Sequence, residues 1–269
     1  MLLSEQEMDE LISGIYSGLI TEMNLPENLY FAIADRLKEG VYKGFGIDFN
    51  DLKDKAVSGF KFDVKDLELL TELRENTYMF SAAKTFNEVL DFRGVMVNGD
   101  GEIKPFKDFK QDMLALDEQY NKNWLRTEYD TAYGQAQNAV AWNQFEKNKD
   151  VLPNLKYSAV VDANTSEICA PLDGICLPID NPFWDTFMPL NHFNCRCLVT
   201  QEDAEVILTS DDEVKELTKG SLNEMDDVFK MNSGKQGVVF SEKHPYFEVE
   251  NKYKEYASNN FNLPIPNED

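Results

Sequence analysis

The sequence predicts an α+β chain that is mainly α, with a helical N-terminal region, a small α+β unit carrying Cys and His, and a short C-terminal tail. Three observations carry this. Apolar residues recur at helical spacing through the first two-thirds of the chain. Past Pro153 the runs become short, β-branched and bounded by turn residues. All four cysteines fall between positions 169 and 197. The expected division is 1–104, a helical region; 105–200, a long helix plus the Cys/His unit; and 201–269, an acidic segment.

"SEQE" opens the first helix as a capping box, Ser4 at the N-cap and Glu7 at N3. Leu11, Ile12, Ile15, Tyr16, Leu19, Ile20 and Met23 then repeat at helical spacing. Pro26 suits the first turn of a second helix running to about Lys43, before Gly44. Asp63 caps a third through Leu67, Leu70, Leu73 and Phe80 to Leu90. "VNGDGE" (97–102) signals a turn or hairpin. After Pro105, Phe106, Phe109, Met113, Leu116 and Tyr120 form one stripe. The helical pattern continues to Phe145, where Ala132, Ala136 and Ala139 suit close helix packing.

Beyond Pro153, "YSAVVD" (157–162) reads as a strand, "LDGI" as a small Asp-Gly hairpin and "RCLVTQ" as a closing strand. "NPFW" starts a helix with Asn181 at the N-cap and Pro182 at N1. The tail reads as helical from about Asp203 to Lys219, then as a strand and a Pro-fixed turn in "GKQGVVFSEKHPYF". The last ten residues are polar enough to be disordered.

A chain of 269 residues with 42% apolar content can bury a sizeable core. It holds no apolar run of membrane-spanning length. "MLLSEQEMDE" lacks the basic end and apolar stretch of a secretory signal, so synthesis in the cytoplasm is expected. Forty-nine acids against 26 bases give a net charge of −23. That charge reads first as solubility, and it argues against an extended nucleic-acid footprint.

Cysteine spacing is C-x6-C-x18-C-x-C, with His192 inside the last gap. If 195–199 is a strand, Cys195 and Cys197 share a face, His192 lies one turn earlier, and Cys169 completes a Cys3His tetrahedron suited to structural zinc. Two other readings stand beside this one. The thiols can simply be buried in a turn. Alternatively, Cys169 or Cys195 can act as a nucleophile with His192, oriented by Asp162, Asp173 or Asp185. Disulfides are not expected in a reducing compartment.

The spaced motifs narrow the choice. Arg126, Thr127 and Glu128 precede Asp162, Thr165, Ser166 and Cys169; Leu172, Asp173 and Gly174 follow, then Pro189, His192, Cys195, Arg196 and Cys197. This order resembles the phage Mu F-like family of head morphogenesis proteins, over about residues 105–200. Leu190 departs from it by replacing a second proline, which loosens the approach to His192. Cys176 stands where the pattern has an apolar residue, and so is left out of the ligand set.

The resemblance implies a minor head (capsid) protein of a tailed phage or prophage, acting structurally near the portal. Its partners would be portal, capsid or scaffold proteins, with no sequence-specific nucleic acid and no membrane. It would be located in the host bacterial cytoplasm during assembly and in the virion head. No complete catalytic constellation is present, so an enzyme is not expected. The alternatives are an enzyme or toxin-type module using the Cys/His site, and a zinc-bearing nucleic-acid module with Arg196, Lys156, Lys147 and Lys149 as its patch. Glu128 and Arg126 lie two apart on a helix, so Glu128 reads as a packing or ion-pair residue. Because the motifs close near Val199, the segment after Ser210 reads as dispensable for folding.

Overall fold

The computed structural model describes residues 2–47 and 62–267. The protein is mainly α with one three-stranded antiparallel sheet. In chain order the main elements are α1 (Glu5–Ser17), α2 (Glu27–Gly44), α3 (Val64–Gly94), α4 (Phe106–Glu118), α5 (Leu125–Asn148), β1 (Asn154–Ser158), β2 (Cys176–Pro178), α6 (Phe183–Phe187), β3 (Leu198–Glu202) and α7 (Asp211–Glu224).

Two compact units form, one from Met1–Glu39, Arg74–Tyr129 and Lys243–Asp269, the other from Gly40–Leu73 and Asp130–Glu242. Neither is a continuous stretch, so the consecutive parts 1–104, 105–200 and 201–269 do not coincide with them.

In the first unit, Ser4 and Glu7 make the reciprocal capping box, and Gly18 ends α1 in the left-handed conformation. The turn at 97–102 is a minimal hairpin, Val97 bridging Ile103. Its core gathers Tyr30, Tyr78, Phe86 and Val89 with Tyr253, Tyr256, Phe261 and Leu263. Phe261 stacks on Phe86 at 4.7 Å, and the Tyr30 hydroxyl donates to the Pro264 carbonyl. The expected disorder of the last ten residues is therefore corrected through residue 267. Aromatic side chains that looked sparse in a polar tail are anchors.

Between α4 and α5 the helix does not run straight through. Gln119–Trp124 form a π-turn, an insertion that hydrophobic spacing does not register. The stripe before it splits: Phe109, Met113 and Tyr120 are buried, whereas Phe106 is exposed.

In the second unit, Asp63 caps α3 by accepting from the Asp66 amide, and Leu67 faces solvent while Leu69 is buried. Ala136 lies so close to Gly44 that a Cβ there would stand 2.3 Å from the Tyr133 carbonyl. The sheet order is β2-β1-β3, with Tyr157 opposite Val199 and Leu155 opposite both Leu177 and Gln201.

Several sequence expectations shift. The strand is 154–158, not 157–162, because beyond Ser158 the backbone bonds to side chains: the Ala159 amide donates to Asp173. The Asp-Gly turn, with Gly174 at φ 83°, leads into β2 but does not join two strands as a two-residue hairpin. Asn181 Oδ1 accepts from the Phe183 amide, but the N-cap is Pro182 and the helix starts at Phe183, so the expected N-cap and N1 each lie one place too early. Helix α7 begins only after Ser210, whose hydroxyl accepts from Glu213. No strand is present in 234–247 among the described residues; Ser233–Gln236 is a helical turn and Pro245–Phe247 a 3-10 turn. The core of this unit runs from Trp142, Leu155 and Tyr157 through Trp184 and Phe187 to Met225 and Phe229.

Candidate metal centre

Cys169 is placed by the loop after β1, which is tied by its own motif residues. The Asp162 amide donates to the Thr165 hydroxyl, which in turn donates to the Val160 carbonyl. Asp162 Oδ1 accepts from the Asn164 amide, and the Cys169 amide bonds to Ser166. Ser221 of α7 donates to the Ile168 carbonyl at 2.7 Å and buttresses the same loop. These polar residues therefore serve as loop caps.

His192, Cys195 and Cys197 come from a tight turn. Asn194 takes φ 59°, a left-handed conformation that Asn tolerates better than bulkier residues, and the Cys195 amide reaches back to the His192 carbonyl. Strand β3 starts only at Leu198. The premise that 195–199 is a strand is thus corrected: a left-handed turn, not strand alternation, aims the thiols inward.

The residues nevertheless meet. Cys169, His192 and Cys195 bring their ligand atoms within 4.8 Å of one another, with Cys169 and Cys195 Sγ 3.8 Å apart. Cys197 is buried close by. It lies outside that tightest set. A cavity of about 20 Å³ opens against Cys169, His192, Cys197 and Arg196, enough for a single water- or ion-sized occupant.

The thiols perturb one another's ionisation. Hydrogen bonds from Cys195 and Cys197, then from His192 and Tyr157, hold the Cys169 thiol far below the ordinary range. The Cys169 thiolate in turn pushes Cys195 and Cys197 up, since three adjacent thiols cannot all ionise without a positive charge between them. His192 is raised, chiefly by its hydrogen bond to Cys169. Its Nδ1 lies 2.8 Å from the Phe193 carbonyl, which can only accept, so Nδ1 carries a proton and Nε2 is the nitrogen that a metal would take once deprotonated.

Two buried residues around this group were not singled out from the sequence. Tyr157 and Asn191 are fully enclosed and joined by a 2.8 Å hydrogen bond. Tyr157 could have been suspected from its inward position on β1; Asn191 carried no signal beyond its place beside His192. Cys176 lies apart on β2, where its amide and carbonyl bond Thr209 and burial raises its thiol.

The three acids that might orient a catalytic His192 are engaged elsewhere. Asp162 forms a two-pronged pair with Arg196, which lowers its carboxyl to about 2. Asp173 accepts from Ala159, and Asp185 pairs with Lys235. Of the basic residues considered for nucleic acid, Lys147 pairs with Asp63 and Asp66, Lys149 with Glu146 and Arg196 with Asp162, whereas Lys156 is exposed.

The Arg126–Glu128 motif belongs to the first unit. Glu128 is buried and paired with Lys84, which has no exposed surface, at 2.7 and 2.9 Å. This is the ion pair expected of Glu128, with a partner the sequence did not reveal. Arg126 is exposed.

Residues 91–200, which include the small antiparallel sheet and the Cys–His group, match the family described as Phage Mu protein F like protein. Among the curated relatives is protein F of Escherichia phage Mu, whose name assigns it to capsid assembly. It is 38% identical over 69 residues, 26% of this chain and 15% of its own length. The Mu-like prophage FluMu F protein of Haemophilus influenzae is 39% identical over 75 residues, 28% of this chain and 17% of its own. The chain thus aligns with about a sixth of the length of these relatives. No solved structure matches significantly.

Proposed function

We propose that this protein is a minor head protein of a tailed phage or prophage, acting structurally in head assembly near the portal. In this reading one structural zinc is held by Cys169, His192, Cys195 and Cys197. The observation that carries it is the Mu F-like stretch, whose separated motif residues converge on one buried Cys–His group. Bound there, zinc would supply a cross-link between the Cys169 loop and the Asn194 turn, with four protein ligands leaving no open position for catalysis. The chain's own residues do the rest: Arg196 and Asp162 clamp the two loops from outside, and Nδ1–H of His192 is fixed by Phe193.

Partners are portal, capsid or scaffold proteins, met in the host cytoplasm during assembly and retained in the virion head. An acidic surface suits docking to basic faces and resists adhesion to packaged DNA. No described helix is long and apolar enough to cross a membrane. Cross-linking mass spectrometry of purified proheads tests the reading: cross-links to portal subunits are expected. Recovery of the protein only in the particle-free fraction would contradict it.

A further inference from the structure

The Tyr157 hydroxyl has one hydrogen and two acceptors in reach, Asn191 Oδ1 at 2.8 Å and Cys169 Sγ at 3.4 Å. With Cys169 as a thiol, its S–H can point at the Tyr157 oxygen while the hydroxyl proton stays on Asn191. A metal-bound Cys169 has no proton and can only accept. The hydroxyl must then turn to sulfur, and the buried Asn191 oxygen would lose its donor. A half-turn of the carboxamide would offer Nδ2 to the Tyr157 oxygen but strand the carbonyl oxygen beside the Met225 thioether, which has no proton to donate.

We infer that Tyr157 is the positioning donor to the Cys169 ligand. Asn191 Oδ1, which accepts from the same hydroxyl at 2.8 Å, is the competing acceptor for that proton. The inference rests on the metal reading above and assigns the orientation of one ligand to one buried residue. Tyr157 is suited to the task because β1 fixes its backbone between β2 and β3, and neither side chain has solvent to compete for its hydrogen bonds.

Cobalt(II) on the full-length chain tests this, since its sulfur-to-metal charge-transfer band reports the hydrogen bonding of the thiolates. Tyr157→Phe is expected to bind cobalt about 10–100-fold more weakly. It should also move the band to lower energy, because a sulfur without its donor holds its electrons less tightly. Asn191→Leu leaves the hydroxyl only Cys169 to bond and should keep the band in place. If Tyr157→Phe fails to fold, Asn191→Asp serves in its stead: an acceptor-only side chain draws the proton away from sulfur and should shift the band the same way. An unmoved band in Tyr157→Phe, or in Asn191→Asp where that variant is used, overturns the inference. So does equal weakening of Tyr157→Phe and Asn191→Leu without a shift. Wild-type protein that takes up neither zinc nor cobalt sinks the metal reading itself, and this inference with it.

Discussion

Replacing Glu128 by Ala isolates a buried ammonium, and its cost should depend on pH in an unusual way. Lys84 Nζ is held by both Glu128 oxygens, by the Tyr120 carbonyl at 2.9 Å, and by the rings of Tyr120 and Tyr246 at 5.4 and 5.6 Å. Removing the carboxylate leaves a buried charge with one carbonyl and two ring faces, which typically costs about 3–5 kcal/mol. Glu88 modifies this figure. It is fully buried, and desolvation raises its carboxyl to about 8 despite the opposing pull of Lys84. Losing the Glu128 charge lowers it somewhat, but towards pH 6 burial still favours the neutral form, which replaces Glu128 poorly. Above pH 8 it is ionised and can.

The loss in Glu128→Ala should therefore approach the full range at pH 6 and shrink at pH 9. Urea unfolding followed by circular dichroism at the two pH values measures it. Lys84→Met combined with Glu128→Ala should recover much of the deficit, because no unpaired charge remains. A loss below about 1 kcal/mol at both pH values, as for an exposed pair, would refute the reasoning.

Glu88 itself makes the protein sensitive to alkali. Its folded-state pKa lies above the ordinary 4.5, so between roughly pH 5 and 8 the folded chain binds a proton that the unfolded chain does not. Stability should fall as pH rises through that window, by at most about 1.4 kcal/mol per pH unit. Glu88→Gln should flatten this slope in a series of melting curves. A chain ending at Ser210 should fail to unfold cooperatively, contrary to the reading of its tail as dispensable. It loses Ser221, Met225 and Phe229 from one core and Tyr253, Tyr256, Phe261 and Leu263 from the other. At about 1.5–3 kcal/mol per large apolar side chain the deficit exceeds the stability of most domains; a sharp thermal transition in that fragment would contradict it. Gly44→Ala should destabilise by about 1–3 kcal/mol through overpacking, because a Cβ would press on the Tyr133 carbonyl. An unchanged urea midpoint would show that α2 and α5 can separate locally at no cost.

What could be read in the sequence followed how local each signal was. Ser4 with Glu7, and Asp63, cap helices through bonds spanning three residues, so their types and spacing sufficed. Cys169, His192 and Cys195 were readable as a group, with Cys197 buried beside them but outside the tightest set. They converge through the left-handed Asn194 turn, not through strand alternation. Lys84 could not be matched to Glu128, because 44 residues separate them and nothing in a helical stripe distinguishes a buried lysine from a solvated one. The tail misled for a similar reason. Phe261 and Leu263 lie among Asn and Pro, and only the long-range contact to Phe86 and Tyr30 turns them into core. The π-turn at 119–124 preserves helical composition and so leaves no trace in residue types.

The central claim is that the motif residues of the Mu F-like stretch form a metal centre. Elemental analysis of the full-length protein purified without chelator tests it most directly, with Cys169→Ser, Cys197→Ser and Cys176→Ser in parallel. About one zinc per chain is expected in the wild type and in Cys176→Ser, with loss in Cys169→Ser and a weakened site in Cys197→Ser. Clearly less than one zinc per wild-type chain, with melting unchanged in EDTA, would mean that these thiols and His192 are packing residues only.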